Sequence, residues 1–481
     1  MNVICICMDT LRADIVGDGK LLSHCRTPNL DDFWRQSVAF ERAFGEGLPT
    51  LQIRRAFFTG RRSFPWRYNF DRRGHWHHAS GWHKIPPQHH TLAEVLLSRG
   101  YYTGMVADTY HMFKPTMNFT RGFCSYEFVR GQESDNWRGG TPAMIEEAMR
   151  RHVREPINWN RHATLAQYLY NMRGREKQED YLCARVLLGA CRWLDDCGAN
   201  KPFFLWIDSF DPHEAWDPPK AYADEYCPDY DGKDFIFPGA AWEGQKPNED
   251  EIERIKALYM GEVTFVDKWV GVLFEKLDEL KLWDDTIVVV LSDHGTELMD
   301  RSQFGKSREN LRPYNTRIVW YMRHPDGPKS KVVNAYVQSH DVMPTILGLL
   351  DVPYEADGEN VWPLVTGEKT NIRDYIISAW ASHAVGPAGA HVSVRDDEWA
   401  YFCAVHDEEA GDELYRWTDD PQEEQNVRDE DPDVVALQRR RIEALIGQPL
   451  PAHMLEICDL GPVPFAQYVR ARGGAAPADF V

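Results

Sequence analysis

Two apolar runs that stop abruptly at acidic residues constrain this chain more than any other feature. Asn2-Val-Ile-Cys-Ile-Cys-Met8 ends at Asp9, and Thr286-Ile-Val-Val-Val-Leu-Ser292 ends at Asp293-His294. A third apolar run, Pro202 to Asp208, leads into Ser-Phe-Asp-Pro-His213 on a proline-rich turn. Helical stretches separate them: 91–97, where Thr91 and Glu94 form a capping box, then 179–196, 250–280 and 340–350. Strand and helix in alternation predict an α/β fold with a large mixed, mostly parallel sheet flanked by helices. Open sheets of that kind place ligands at the carboxyl ends of their strands, which is where Asp9, Asp293 and His294 fall.

After residue 355 the texture changes. Short extended runs at 376–380, 391–394 and 399–403 separated by turn residues predict a smaller C-terminal antiparallel sheet, closed by a helix at 433–445. The expected division is a catalytic domain over 1–355, an α+β subdomain over 356–461 and a tail over 462–481. Residues 131–175 are polar, Trp- and Arg-rich and weakly patterned, and read as an insertion beside the site.

A hydroxyl and a guanidinium stand four residues apart in Leu48-Pro-Thr-Leu-Gln-Ile-Arg54. Thr50 fits a helix N-cap, where a hydroxyl satisfies free amides and the helix dipole favours an anion. Arg54 then lies one turn along the same face. The same residues also read as an ordinary capping threonine followed by two solvated arginines. What weights the first reading is the rest of the chain.

The 481 residues carry a formal charge of -20, which disfavours nucleic acid and anionic membrane as partners. Between Arg54 and His78 the sign reverses, with seven arginines (54, 55, 61, 62, 67, 72 and 73) and three histidines (75, 77 and 78) against Asp71 alone. That stretch is either a solvated loop or a cationic funnel for a small anionic substrate. No apolar run approaches the roughly 20 residues of a membrane span, and Met1 runs directly into the first strand without a basic leader. A cytoplasmic protein acting on a small anionic substrate, with no nucleic-acid or membrane partner and forming a homo-oligomer, is the expectation. The ten cysteines lack CxxC spacing and read as free thiols.

With Thr50, the residues Asp9, Asp293 and His294 offer three oxygens and one imidazole to a single divalent cation, Mn²⁺, Zn²⁺ or Ca²⁺. A bound cation would lower the pKa of the Thr50 hydroxyl and make it a nucleophile. At this point the chain resembles the sulfatase and phosphonate monoester hydrolase branch of the alkaline phosphatase superfamily over nearly its whole length. The resemblance rests on Val3 to Asp14, Thr27-Pro-Asn-Leu-Asp31, Thr50 with Arg54 and Thr59-Gly60, and Gly100-Tyr-Tyr-Thr103. It continues through Asp211-Pro-His213, Ser292-Asp-His-Gly295 with Gly305-Lys306, Asp341 to Leu347, Glu413-Leu-Tyr415 and Asp420-Pro-Gln-Glu423.

The departures are chemical. Sulfatases carry Cys or Ser, converted to formylglycine, where this chain has Thr50, and Leu51-Gln52-Ile53 replaces the x-Pro-Ser that follows it. Thr10 stands where a second acid commonly follows the first, and Asp108 and His111 stand in place of a Lys-Trp-His motif. The formylglycine diol releases sulfate by elimination, a route closed to an ordinary alcohol, whereas a phosphorylated threonine can be hydrolysed by in-line water. The resemblance with these departures implies a metal-dependent hydrolase of phosphodiesters or phosphonate monoesters working through a phospho-Thr50 intermediate. Arg54 and Lys306 would hold the equatorial charge and His213 would protonate the leaving group. Asp108, His111 and Asn69 are candidate substrate contacts. Two alternatives stay open, a sulfatase lacking formylglycine and a non-catalytic anion-binding homologue.

Overall fold

The structure, a computed structural model, describes residues 1–18, 20–65, 82, 84–113, 117–238, 246–307, 309–382, 389–405 and 411–451. The expected tail over 462–481 lies outside the described residues, as do Asn69 and the basic residues 67, 72, 73, 75, 77 and 78. Among the described residues no helix is long and apolar enough to cross a membrane, and every cysteine is a free thiol.

Eight strands build the main sheet: β1 (Asn2–Met8), β2 (Val38–Phe40), β3 (Tyr102–Ala107), β4 (Ser125–Phe128), β5 (Phe203–Ser209), β6 (Thr286–Ser292), β7 (Trp320–Arg323) and β8 (Lys331–Val333). Their order across the sheet is β8-β2-β7-β6-β1-β5-β3-β4. β7 runs antiparallel to both neighbours and the remaining pairs are parallel, as the strand-helix alternation predicts. All seven residues of β1, β5 and β6 are buried, because helices cover both faces of the sheet. Along β1, Ile4, Ile6 and Met8 pack into one core, while Val3, Cys5 and Cys7 pack into the other.

On the first face lie α1 (Pro28–Arg35), α4 (Leu182–Cys197) and α5 (Glu249–Glu279); on the second lie α2 (Leu51–Thr59), α3 (Leu92–Ser98) and α6 (Val342–Leu349). The expected capping box of α3 is present, with Thr91 accepting from the Glu94 amide and Glu94 accepting from the Thr91 amide. α4 begins at Leu182, three residues later than the polar segment before it suggests, because Gln178–Asp180 forms a separate 3₁₀ turn. The segment 131–175 contains two further short helices, Glu146–His152 and Ala163–Asn171, which the sequence pattern does not show. Met149, Leu165, Ala166 and Leu169 sink into the first core, so much of this segment is built into the domain.

The second sheet pairs β9 (Tyr375–Ser382), β10 (Gly389–Asp396), β11 (Ala400–Ala404) and β12 (Glu413–Tyr415) antiparallel in chain order, with α7 (Pro432–Ile446) against it. Its fifth strand comes from elsewhere: Gly47–Leu48 joins β9 in parallel pairing. The smaller sheet therefore grips the two residues that immediately precede Pro49-Thr50.

Candidate active site

Register brings the acidic residues together. Cys7 of β1 stands beside Asp208 of β5, and Met8 stands between Ser209 and Ser292, so Asp9, Asp208 and Asp293 emerge at the carboxyl ends of three adjacent strands. All three carboxylates are fully buried. α2 enters the same place from the second face, and every one of its nine residues is buried, including Arg54 and Arg55. The alternative of two solvated arginines is thereby excluded, since a guanidinium without solvent must find carboxylates.

Arg54 finds three. Its Nε lies 3.1 Å from both Asp208 oxygens and Nη2 donates to Asp208 Oδ1 at 2.8 Å, while Nη1 reaches Asp9 Oδ2 at 3.0 Å and Asp293 Oδ2 at 2.5 Å. Nη1 also points at the Thr50 carbonyl, 3.4 Å away, whose oxygen accepts the first helical amide bond from Arg54 at 3.2 Å. Thr50 and Arg54 thus meet one helical turn apart, as their spacing predicts. The cap itself differs from expectation. Thr50 occupies the N-cap with φ 39° and ψ -81°, and its side chain makes no capping bond. A β-branched residue at positive φ costs on the order of 1–3 kcal/mol, and such strain concentrates at working sites.

Asp9, Asp293 and His294 present ligand atoms that all lie within 4.8 Å of one another. His294 Nδ1 is 2.8 Å from the Gly295 carbonyl, which fixes the proton there and leaves the Nε2 lone pair bare. Asp9 Oδ1, the Thr10 hydroxyl and His294 Nε2 are buried without a hydrogen-bond partner. Buried polar atoms are rarely left so, and a cation is the partner that a carboxylate and a bare imidazole nitrogen share. The donor set therefore fits the single divalent ion expected. Gly295 is required beside it, because a Cβ there would fall 1.9 Å from the Tyr314 carbonyl. Burial, then the Asp293 charge, push the Asp9 carboxyl well above its usual range; for Asp293 burial is outweighed by His294 and Arg54, and its carboxyl is lowered.

His213 and Lys306, 93 residues apart, form a second unit. Lys306 Nζ lies 2.6 Å from His213 Nε2 and 3.0 Å from Glu214 Oε2, and His213 Nδ1 is 2.7 Å from the Glu214 carbonyl. An ammonium only donates, so His213 Nε2 accepts and its proton sits on Nδ1. Burial and the adjacent Lys306 lower the imidazole pKa to about 4, so the proton of this pair is carried by Lys306. The Lys306 charge also reaches Asp9 and His294.

Asp108 and His111 are buried nearby but engaged. Asp108 accepts from the Phe210 amide at 2.6 Å and from Gln132 at 3.0 Å. His111 lies 3.4 Å from Glu133 and packs on Tyr110, Trp82 and Phe210, and Phe210 in turn stacks on His213 with ring centroids 4.2 Å apart. Sequence reasoning passed over Asp208, Glu214 and the Thr10 hydroxyl. Asp208 carried the same signal as Asp9, a carboxylate ending an apolar strand.

The sulfatase family profile matches residues 1–352, and the profile described as N-sulphoglucosamine sulphohydrolase, C-terminal, matches residues 313–447. An arylsulfatase of Clostridium perfringens is 28% identical over 237 residues, 44% of this chain and 47% of that protein. The multifunctional alkaline phosphatase superfamily protein PehA of Trinickia caryophylli is 28% identical over 202 residues, 35% of this chain and 38% of PehA. The chain thus spans less than half the length of these two relatives. The match to a choline-sulfatase of Rhizobium meliloti, 23% identical over 443 residues, takes in 85% of this chain and 80% of that protein. Among solved structures, the phosphonate monoester hydrolase of Agrobacterium radiobacter superposes with a TM-score of 0.70 at 18% identity, covering 93% of this chain and 95% of that one. The phosphonate monoester hydrolase of Silicibacter pomeroyi superposes with a TM-score of 0.68 at 21% identity, covering 94% and 96%. These two likenesses show the fold, and the profile match over residues 1–352 shows the family. The chain belongs to the sulfatase family.

Proposed function

We propose that the chain is a metal-dependent hydrolase of phosphodiesters or phosphonate monoesters, with Thr50 as nucleophile. The observation that carries this reading is the Thr50 hydroxyl, which heads α2 without capping it while the arginine one turn on touches both Asp9 and Asp293. A divalent ion held by Asp9, Asp293 and His294 would supply Lewis-acid charge and lower the pKa of a neighbouring hydroxyl. With its proton released to solvent, the Thr50 oxygen attacks phosphorus as the ester oxygen departs, and water then displaces the Thr50 oxygen in line, one water proton returning to Thr50. The proton for the departing oxygen comes from the Lys306–His213 pair, in which Lys306 bears it. Arg54 spends its donors on carboxylates, so it acts by holding the site together and Lys306 is the cation left to face the ester.

A singly charged ester suits one metal and one ammonium, that of Lys306, which already holds His213 and Glu214, and phosphate monoesters should be poorer. A second reading, sulfate ester hydrolysis, is favoured by the family and by relatives named arylsulfatase and choline-sulfatase. Against it stands Thr50, which has no route to the formylglycine diol. A panel of aryl phosphodiester, phosphonate monoester, phosphate monoester and sulfate esters assayed with Mn²⁺ and Zn²⁺ separates the two. Diester or phosphonate should lead in kcat/KM, and Thr50→Ala should lower the best rate by about 10³-fold with the fold intact. Sulfate turnover exceeding diester turnover by roughly tenfold, from protein shown by mass spectrometry to carry unmodified Thr50, overturns the phosphoester reading. A protein with no turnover of any ester is an anion-binding homologue.

A further inference from the structure

We infer that Asp208 is a positioning residue of the metal site: it holds one edge of the Arg54 guanidinium and supplies the negative charge that lets a divalent ion and Arg54 share Asp9 and Asp293. The inference rests on the metal reading above and adds a role for a residue that touches neither ion nor ester. Arg54 and its three carboxylates are all fully buried, and the guanidinium is divided between two tasks. Its Nε and Nη2 edge is side-on to Asp208, leaving Nη1 alone to meet Asp9 and Asp293. Asp208 cannot turn away, because Thr109 donates to its Oδ1 at 2.6 Å and Trp206 Nε1 donates to its Oδ2 at 2.9 Å.

The formal charges explain why the clamp matters. Three carboxylates against one guanidinium leave two negative charges in a site without solvent, which one divalent cation cancels. With Asp208 neutralised the deficit falls to one, and the full guanidinium charge then bears on the same two carboxylates that the ion needs. The cation and Arg54 would compete where, in the wild-type arrangement, they coexist.

Mn²⁺ titration of the metal-stripped full chain, followed by electron paramagnetic resonance and elemental analysis, tests this without an assay of turnover. Asp208→Asn should weaken Mn²⁺ binding by about 10- to 100-fold, the range for an outer partner of a metal ligand. Asp208→Glu, which keeps the charge, should stay within about fivefold of wild type. The decisive variant is Asp208→Asn combined with Arg54→Gln, which restores the charge count and should recover most of the lost affinity. A purely structural Asp208 would instead give a double variant no better than Asp208→Asn, and that result, or unchanged Mn²⁺ affinity in folded Asp208→Asn, overturns the inference. If Asp208→Asn does not fold, the comparison of Asp208→Glu and the double variant with wild type decides it. Wild-type protein that takes up no divalent ion removes the metal reading itself, a different outcome from equal binding by wild type and variant.

Discussion

Two clusters of buried acids lie along the same edge of the main sheet, and they behave oppositely. In the first, Asp9, Asp208 and Asp293 surround the Arg54 guanidinium, with His294 beside them. In the second, Gln132 Nε2 bridges Asp108 and Asp211 at 3.0 and 2.6 Å, Asp211 accepts from the Cys183 amide at 3.0 Å, and Glu262 and Cys183 complete a close group with Asp211. Both are buried, and geometry alone would let either hold a metal. The difference lies in the neighbours. Burial raises Asp108, Asp211 and Glu262 and the Cys183 thiol, and the one guanidinium that lowers Glu262 is Arg175, ion-paired with Asp217. The second cluster's carboxylates spend their oxygens on Gln132 and on the Phe210 and Cys183 amides and act as a hydrogen-bonded support under α4. In the first, burial raises Asp9 as well but His294 and Arg54 lower Asp293, and Asp9 Oδ1 and His294 Nε2 are left without a hydrogen-bond partner and open to a cation. Burial of carboxylates is not by itself a metal site; whether ligand atoms are left without a partner decides.

The largest effect should come from breaking the first cluster and not the second. Asp293→Asn is expected to empty the ion and lower turnover of the best ester by about 10³-fold, as for loss of preorganised charge. Asp211→Asn should retain the ion and keep turnover within about tenfold, because its one carbonyl oxygen can still accept from the Cys183 amide and Gln132 can still donate to Asp108. Elemental analysis and steady-state kinetics on both variants check this, and loss of the ion in the Asp211 variant would merge the two clusters into one site.

The His213–Lys306 pair sharpens the comparison through pH. His213 is held at about 4 against 6.5 for a free imidazole, by burial and by Lys306. Between those values the unfolded chain binds a proton that the native chain does not, so stability falls as pH drops from about 6.5 to 4. At about 1.4 kcal/mol per unit the full loss is about 3.5 kcal/mol. Urea unfolding at intervals from pH 7 to 4 should show a slope that His213→Gln shallows. A slope unchanged by that substitution would mean that His213 is not held neutral.

How much of this could be read beforehand follows from where each signal sits. Asp9, Asp293-His294 and the Thr50–Arg54 pair each end or begin a regular element, so element boundaries disclosed them. The two-sheet α/β fold was legible for the same reason, since β1, β5 and β6 are uninterrupted apolar runs. Asp208 ended such a run too, but the Asp-Pro-His turn after it drew the functional reading. The contact between His213 and Lys306 spans 93 residues of sequence and no periodicity encodes it. The segment 131–175 read as weakly patterned in part because arginines flanking its helices pack on rings, with Arg138 4.0 Å from the Trp137 ring and Arg175 3.9 Å from that of Tyr181. Such residues count as polar in a pattern while behaving as part of the packing. Gly47–Leu48 is too short for any pattern, and its membership of the smaller sheet emerged only from the fold.

The smallest effect expected separates the clusters by the sign of their response to pH. Burial, then Asp211 and Asp217, hold the Glu262 carboxyl well above its ordinary value of 4.5. Above that value the unfolded chain releases a proton that the native chain retains, so this group makes the protein less stable as pH rises toward the native pKa. Asp293, whose carboxyl is lowered, works in the other direction: its contribution is present above 3.8 and fades as pH falls through the native value. Glu262→Gln, neutral at every pH and nearly the same shape, should therefore raise the melting temperature relative to wild type at pH 8 by about a degree or more and leave it nearly unchanged near pH 4.5. Melting curves of both proteins at the two pH values, in the same metal concentration, give the difference directly. A variant equally shifted at both pH values would show that Glu262 enters the native state ionised, and the contrast between a proton-holding cluster and a cation-holding one would fail at this residue.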